Sequence, residues 1–238
     1  MQVITMAHCD RPDYTARSLA ALRACHGVEQ WTLFPRVEPG CVRTELLLRG
    51  VDWMACQVEV NPWKLGCNGA TLSAFEFGFR SADFVVHVED DVELAPDALE
   101  FFLWARDAYR EAPEVFSATA YNRVEALVPA GERRRVWRRR YFHPWAWATW
   151  RDRWQAIPLG LVGFGEMTWD VDLLHHWVAP RGLREVYPVL PRARNFGERS
   201  ALHPDAFPPE HYRHQHQTAD WAGDSRGGGG IHGWREAA

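Results

Sequence analysis

The segment 84–91, Phe-Val-Val-His-Val-Glu-Asp-Asp, constrains this chain more than any other. A run of strand formers ends in three consecutive carboxylates, Glu89, Asp90 and Asp91. A helical pattern follows at once, with Pro96 near its start and Leu99, Phe102 and Leu103 on one face. Adjacent anions repel, so such a cluster is cheap only with a cation among them. An all-oxygen ligand set suits a hard ion, Mn²⁺ or Mg²⁺, and argues against zinc. The carboxyl end of a strand before a helix is also where open α/β sheets place ligands. The plainer alternative is a solvated acidic turn favoured by the helix N-terminus.

The surrounding pattern alternates. Strands are expected at 2–8, 30–35, 52–60, 84–89 and 114–121, with helical patterns near 12–25, 68–80 and 96–110. This is the order of a βαβ sheet. After residue 122 come a charged loop, an arginine strand around 135–142, a Trp-rich segment and a helix near 166–178. Trp147, Trp150 and Trp154 are spaced as on a helix and are expected in the core. At 238 residues and 47% hydrophobic, the chain can bury a sizeable core as one domain. No apolar run approaches a membrane span, and the N-terminus enters a strand without a signal peptide, so a cytoplasmic protein is expected. Five scattered cysteines without a CxxC suggest reduced thiols rather than a disulfide framework or zinc site. The net charge of −4 gives no global attraction to nucleic acid.

Several short segments, in order, carry a resemblance. They are Cys9-Asp10-Arg11 after the first strand, Glu89-Asp90-Asp91 followed by Ala95-Pro96-Asp97 and aromatics, and Ser117-Ala118 with Asn122. Phe142-His143-Pro144, Trp169-Asp170 and Phe196-Gly197 complete the series. From about residue 3 to about residue 216 the chain resembles the GT-A glycosyltransferases. The likeness is nearest to the inverting β-1,2-N-acetylglucosaminyltransferases of the N-acetylglucosaminyltransferase I type.

The resemblance implies a GT-A (Rossmann-like) mixed sheet with flanking helices in a single domain spanning 1–226. Residues 1–122 form the nucleotide-sugar-binding half and 123–226 the acceptor-binding half. Residues 227–238, with Gly227–Gly230, read as a flexible Gly-rich tail. It further implies Asp91 as the direct ligand of Mn²⁺ (or Mg²⁺), with Glu89 and Asp90 near the donor's ribose and sugar. Arg11, beside Asp10 at the end of the first strand, would contact the nucleotide. The segment 192–203 matches a loop that orders over the donor, and its arginines, Arg194 among them, would meet the diphosphate. The family's acidic uracil contact has only a poor counterpart in Phe34-Pro35-Arg36-Val37-Glu38. A nucleotide-sugar donor is therefore implied more firmly than a UDP-linked one.

Inverting transfer needs a carboxylate to take the acceptor hydroxyl's proton. Asp170 matches the family's catalytic aspartate, with Asp172 as the fallback. Lys64, the only lysine, is placed to reach a phosphate or sugar hydroxyl, or is a surface lysine. His211, His214 and His216 read as surface histidines, or one of them completes a metal shell.

The acceptor is open between a glycan and DNA. Six arginines fall within residues 133–140. They read either as protection of an edge strand or as a patch for an anionic acceptor, with Arg135, Arg138 and Arg140 binding phosphate. Trp145 or Trp147 would stack on an acceptor ring, and Trp137, Tyr141 and Trp145 suit a flipped base of a hydroxymethylated DNA acceptor. Two other function classes fit the sequence less well. A nucleotidyltransferase lacks support because Ala7–Pro12 is not a Gly-rich phosphate loop. A non-catalytic sugar- or nucleic-acid-binding module does not require Glu89, Asp90, Asp91 and Asp170 together.

Overall fold

The structure, a computed structural model, describes residues 1–123, 128–158, 168–197 and 233–237. Strand β1 (Gln2–His8) shows why the chain folds as a layered sheet. Its residues alternate between two faces. Ile4 and Met6 enter one apolar core, and Val3 enters the other. The first core holds helices α1 (Pro12–Arg23), α2 (Val42–Arg49) and α4 (Ala98–Ala108) against the sheet. The second holds α3 (Gly66–Phe79), α5 (Arg151–Gln155) and α6 (Trp169–Leu173), which continues as a π-helical turn through Val178. Gly78 is where α3 comes closest to the sheet: a Cβ there would lie 2.6 Å from Thr5 Cγ2.

The remaining strands are β2 (Trp31–Val37), β3 (Ala55–Cys56), β4 (Glu59–Val60), β5 (Phe84–His87), β6 (Val92–Leu94), β7 (Val115–Thr119), β8 (Arg135–Arg139), β9 (Trp147–Trp150), β10 (Arg184–Pro188), β11 (Ala193–Asn195) and β12 (Arg235–Glu236). The main sheet runs β12-β8-β10-β7-β9-β5-β1-β2-β3, with β4 also on β2. β1, β2 and β5 are parallel, and β9 inserts antiparallel between β5 and β7. A second, two-stranded sheet pairs β6 with β11. This is a mixed α/β single domain with flanking helices, as expected.

Several expectations need correction. The strand expected to run to residue 89 ends at His87, so Val88–Asp91 form a turn rather than alternating across a sheet. The strand expected over 52–60 is two short pieces on one neighbour. Trp147 and Trp150 lie on strand β9 and only Trp154 on a helix. Their burial was expected, but the helical period was the wrong template for a fully buried strand. Within the stretch expected as a flexible tail, residues 233–237 dock. Trp234 is buried against Phe101, and β12 pairs with β8. Among the described residues no helix is long and apolar enough to cross a membrane.

Candidate active site

The carboxyl ends of β1, β5 and β7 lie along one edge of the sheet. The turn after β5 carries Glu89, Asp90 and Asp91 there. The turn after β1 carries Arg11, and its guanidinium closes on the cluster. Arg11 Nε donates to Asp90 Oδ2 at 3.2 Å, Nη2 to Asp90 Oδ1, and Nη1 to Asp91 Oδ2 at 3.1 Å. Burial opposes charge on this guanidinium, but Asp90 and Asp91 outweigh it and hold Arg11 firmly protonated. Burial and Asp91 push the buried Asp90 up, while the Arg11 fork pulls it back down. Arg11 thus sits among the acids. Asp10 is exposed beside it.

Asp91 is fixed from a second direction. Asn195, at the end of β11, donates from Nδ2 to Asp91 Oδ1 at 3.1 Å. Phe196 donates its amide to the Asp91 carbonyl at 2.9 Å, and Gly197 donates its amide to Asn195 Oδ1 at 2.7 Å. A Cβ on Gly197 would lie 2.6 Å from Asp91 Oδ2, so only glycine permits this approach. Tyr14 of α1 holds Phe196 edge-on at 5.4 Å, which docks the returning chain. The signal in the sequence was Phe196-Gly197, read as a loop motif and not as a support for Asp91.

Asp170 arrives from the first turn of α6. Trp169 anchors that turn: it is buried and stacks on Trp147 at 5.8 Å, and its amide donates to Asn68 Oδ1 at 3.0 Å. Asn68 lies in the first turn of α3, so one amide side chain ties the two halves together. The charge of Asp170 reaches the carboxylate cluster. Burial, then Asp91, Asp170 and Asp90, raise Glu89 well above the ordinary carboxylate range. Cys67 faces the same opening. Although it is exposed, local crowding and then Glu89, Asp170 and Asp90 push its thiol up to about 12. The fallback Asp172 is buried on the opposite side of the turn, 3.9 Å from His176 Nε2. Of the two, Asp170 faces the cluster.

The other candidates lie differently. Lys64 is exposed beside exposed Trp63. Glu38, at the end of β2, is buried and accepts the Leu65 amide through both oxygens at 3.0 Å. It therefore fixes the approach to α3. Arg194 Nε donates to Glu93 Oε2 at 2.5 Å, and Glu93 also accepts from Arg17. Arg192 is buried against Asp97. Arg199, in the segment 192–203, and His211, His214 and His216 lie outside the described residues.

The arginine strand is paired rather than free. Arg135 meets Glu132 at 2.6 Å, Arg138 meets Glu236 at 2.5 Å and Glu114 at 3.4 Å, and Arg139 meets buried Glu185 at 2.5 Å. Arg140 is exposed. Trp145 packs against Tyr121 and His143, both at 4.6 Å. A cavity of about 260 Å³ lies at the other edge of the sheet, between Gln2, Trp31, Phe84 and Trp150, away from all of these groups.

The donor set fits a divalent ion of the hard, oxygen-seeking kind. Two of the three carboxylates, Asp90 and Asp91, meet one bridging guanidinium, and Glu89 is left among like charges. Among the described residues no three acidic, histidine or cysteine side chains enclose an ion by themselves. Mg²⁺-type sites of this composition use one or two carboxylates and complete their shell with substrate phosphates.

No protein-family model and no curated protein matches the chain. Solved structures do. One is the mannosyltransferase PcManGT from Pyrobaculum calidifontis, in complex with GDP-Man and Mn²⁺. It has a TM-score of 0.50 and 14% identity over 80% of this chain and 57% of that one. Another is S. aureus TarS 1-349, with a TM-score of 0.52 and 11% identity over 79% of this chain and 58% of that one. The fold is GT-A. The chain spans little more than half the length of these two GT-A relatives.

Proposed function

We propose that this chain is a metal-dependent inverting glycosyltransferase that moves a sugar from a nucleotide-sugar donor, UDP-linked by the resemblance, to an acceptor hydroxyl. One observation carries the reading. Glu89, Asp90 and Asp91 gather at the carboxyl edge of a GT-A sheet, and Asp170, from an element some 80 positions later, is close enough to perturb Glu89. A core or surface role for four carboxylates would not require them to share one opening. GDP-Man and Mn²⁺ in the Pyrobaculum mannosyltransferase accord with the same donor chemistry.

Asp91 is the side chain that would hold the cation with the donor diphosphate, oriented by Asn195 and Arg11. When bound, Mn²⁺ or Mg²⁺ would stabilise charge on the departing nucleoside diphosphate. Asp170 acts as general base. Its carboxylate takes the acceptor hydroxyl's proton as that oxygen attacks the anomeric carbon and the bond to the phosphate oxygen breaks. A single displacement inverts the anomeric centre. Glu89 faces the sugar and ribose. A donor panel scored for acceptor-dependent nucleotide release, with the product anomer read by NMR coupling, tests this directly. Retention of configuration, or no release from any nucleotide sugar, contradicts it.

A further inference from the structure

We infer that Arg11 is a transferable counter-cation, which competes with the divalent ion for Asp91 and passes to the donor's diphosphate, so that ion and donor bind together rather than singly. The inference rests on the donor chemistry proposed above and adds how the site fills.

Asp91 has two carboxylate oxygens, and each accepts a hydrogen bond. Asn195 Nδ2 donates to Oδ1 at 3.1 Å, and Arg11 Nη1 donates to Oδ2 at 3.1 Å. The two donors differ in charge. The Asn195 amide is neutral, and a carboxylate oxygen that accepts one hydrogen bond keeps a lone pair for a metal. The guanidinium is a cation. A divalent ion on the same carboxylate would meet a like charge at close range. Asp91 therefore serves Arg11 or the ion, and either weakens the other.

Arg11 is built to give up this contact and stay in place. Its Nε and Nη2 form a two-pronged fork on Asp90, with Nε donating to Oδ2 at 3.2 Å. The Tyr14 ring centre lies 5.1 Å from the guanidinium carbon. Neither anchor involves Asp91. Asp90 is buried, so it keeps its partner through the exchange, as a buried carboxylate requires.

A diphosphate supplies what the exchange needs. Hard-ion sites with few protein carboxylates complete their shell with substrate phosphates. A guanidinium pairs with phosphate as well as with carboxylate. Ion and diphosphate together replace the Arg11–Asp91 contact by two others, ion to Asp91 and Arg11 to phosphate. The ion alone displaces Arg11 without offering it an anion. The diphosphate alone draws Arg11 away and leaves Asp91 facing another anion. Each ligand therefore favours the other, by the same factor in both directions.

The test is Mn²⁺ binding by the whole chain, read by EPR of the free ion, first without nucleotide and then with UDP. Arg11→Lys keeps the charge but lacks the planar fork that bridges two carboxylates. Asn195→Ala removes the neutral donor. Without nucleotide, Arg11→Lys should bind Mn²⁺ about tenfold more tightly than wild type, the scale of one charge-assisted hydrogen bond. Asn195→Ala should show no such gain. With Mn²⁺ present, UDP should bind Arg11→Lys more weakly than wild type. Mn²⁺ affinity in Arg11→Lys equal to or below that of wild type overturns the inference. So does an equal gain in Asn195→Ala, or UDP binding undiminished in Arg11→Lys. Should Arg11→Lys fail to fold, the Arg11 guanidinium ¹⁵N resonances of wild type decide: Mg²⁺ with UDP should shift them, and unshifted resonances overturn the inference. Failure of UDP to bind wild type with Mn²⁺ would remove the donor reading, while the nucleotide-free comparison still judges the competition at Asp91.

Discussion

Three consecutive carboxylates close β5, and six arginines within residues 133–140 surround β8, four strands away in the same sheet. In the sequence both are dense charge runs. In the fold they differ in compensation. The arginines of β8 meet Glu132 just before the strand and acids from neighbouring strands and loops, with Glu185 and Glu236 brought across the sheet. The acids after β5 meet Arg11 and then, from α6, another acid. Charge matched by the protein is structural. Charge left short at a strand end is where a ligand supplies the balance.

The largest effect that can break this contrast is Asp170→Asn. Turnover should fall by roughly two to four orders of magnitude, the range for a lost general base. Donor binding should be retained, because Asp91 is held by Asn195 and Arg11. Steady-state kinetics with donor titration decides it, and an active variant places the base elsewhere.

Next is the compensation itself. Arg11→Ala leaves Asp90, almost wholly buried, without its partner, and should cost about 3 kcal/mol in urea unfolding. Arg138→Ala removes a half-exposed pairing and should cost less than about 1 kcal/mol. Equal costs would erase the distinction between the two runs.

The pH dependence sharpens it further. Burial holds His8 and His87 neutral, with pKa values lowered from 6.5 to about 3. As pH falls below about 6.5, the unfolded chain takes protons that the folded chain refuses. Stability should drop by up to about 1.4 kcal/mol per pH unit for each, until about 3. His87→Asn should flatten that slope in denaturant melts between these limits. His143, near the arginine run, is also lowered to about 3 but is less enclosed and should contribute less. An unchanged slope in His87→Asn rejects the assignment.

The smallest effect should come from Arg135, Arg138 and Arg140 changed together to Ala. Acceptor KM should move little and show no steep salt dependence. A large, salt-dependent rise would show that the arginine run binds an anion after all.

The first strand, the β5 carboxylates and the alternating β-α order were legible because local patterns carry them. The second half was not. β9 is buried on both faces, so its tryptophans show no alternation, and their chance spacing imitates a helix. Helix α2 hides because Val42, Leu46 and Leu47 face outward and blur its apolar face. Within the site, Glu89–Asp91 and Asp170 stood out by motif. Asn195 and Asn68 did not, because their contacts bridge 104 and 101 positions, and no local signal marks an amide that orients a distant carboxylate or helix start. For the same reason the sequence leaves the arginine run open between edge-strand protection and an anion patch, since much of the acid that pairs with it lies far along the chain.

Isothermal titration of UDP into wild type and Asp91→Asn, each with Mn²⁺ and then with chelator, tests the central claim most directly. The account predicts that wild type binds UDP with Mn²⁺ and loses that binding on chelation. Asp91→Asn should keep its circular dichroism spectrum but lose metal-dependent binding. Undiminished UDP affinity under chelation, or in Asp91→Asn, would contradict a divalent nucleotide site at the end of β5.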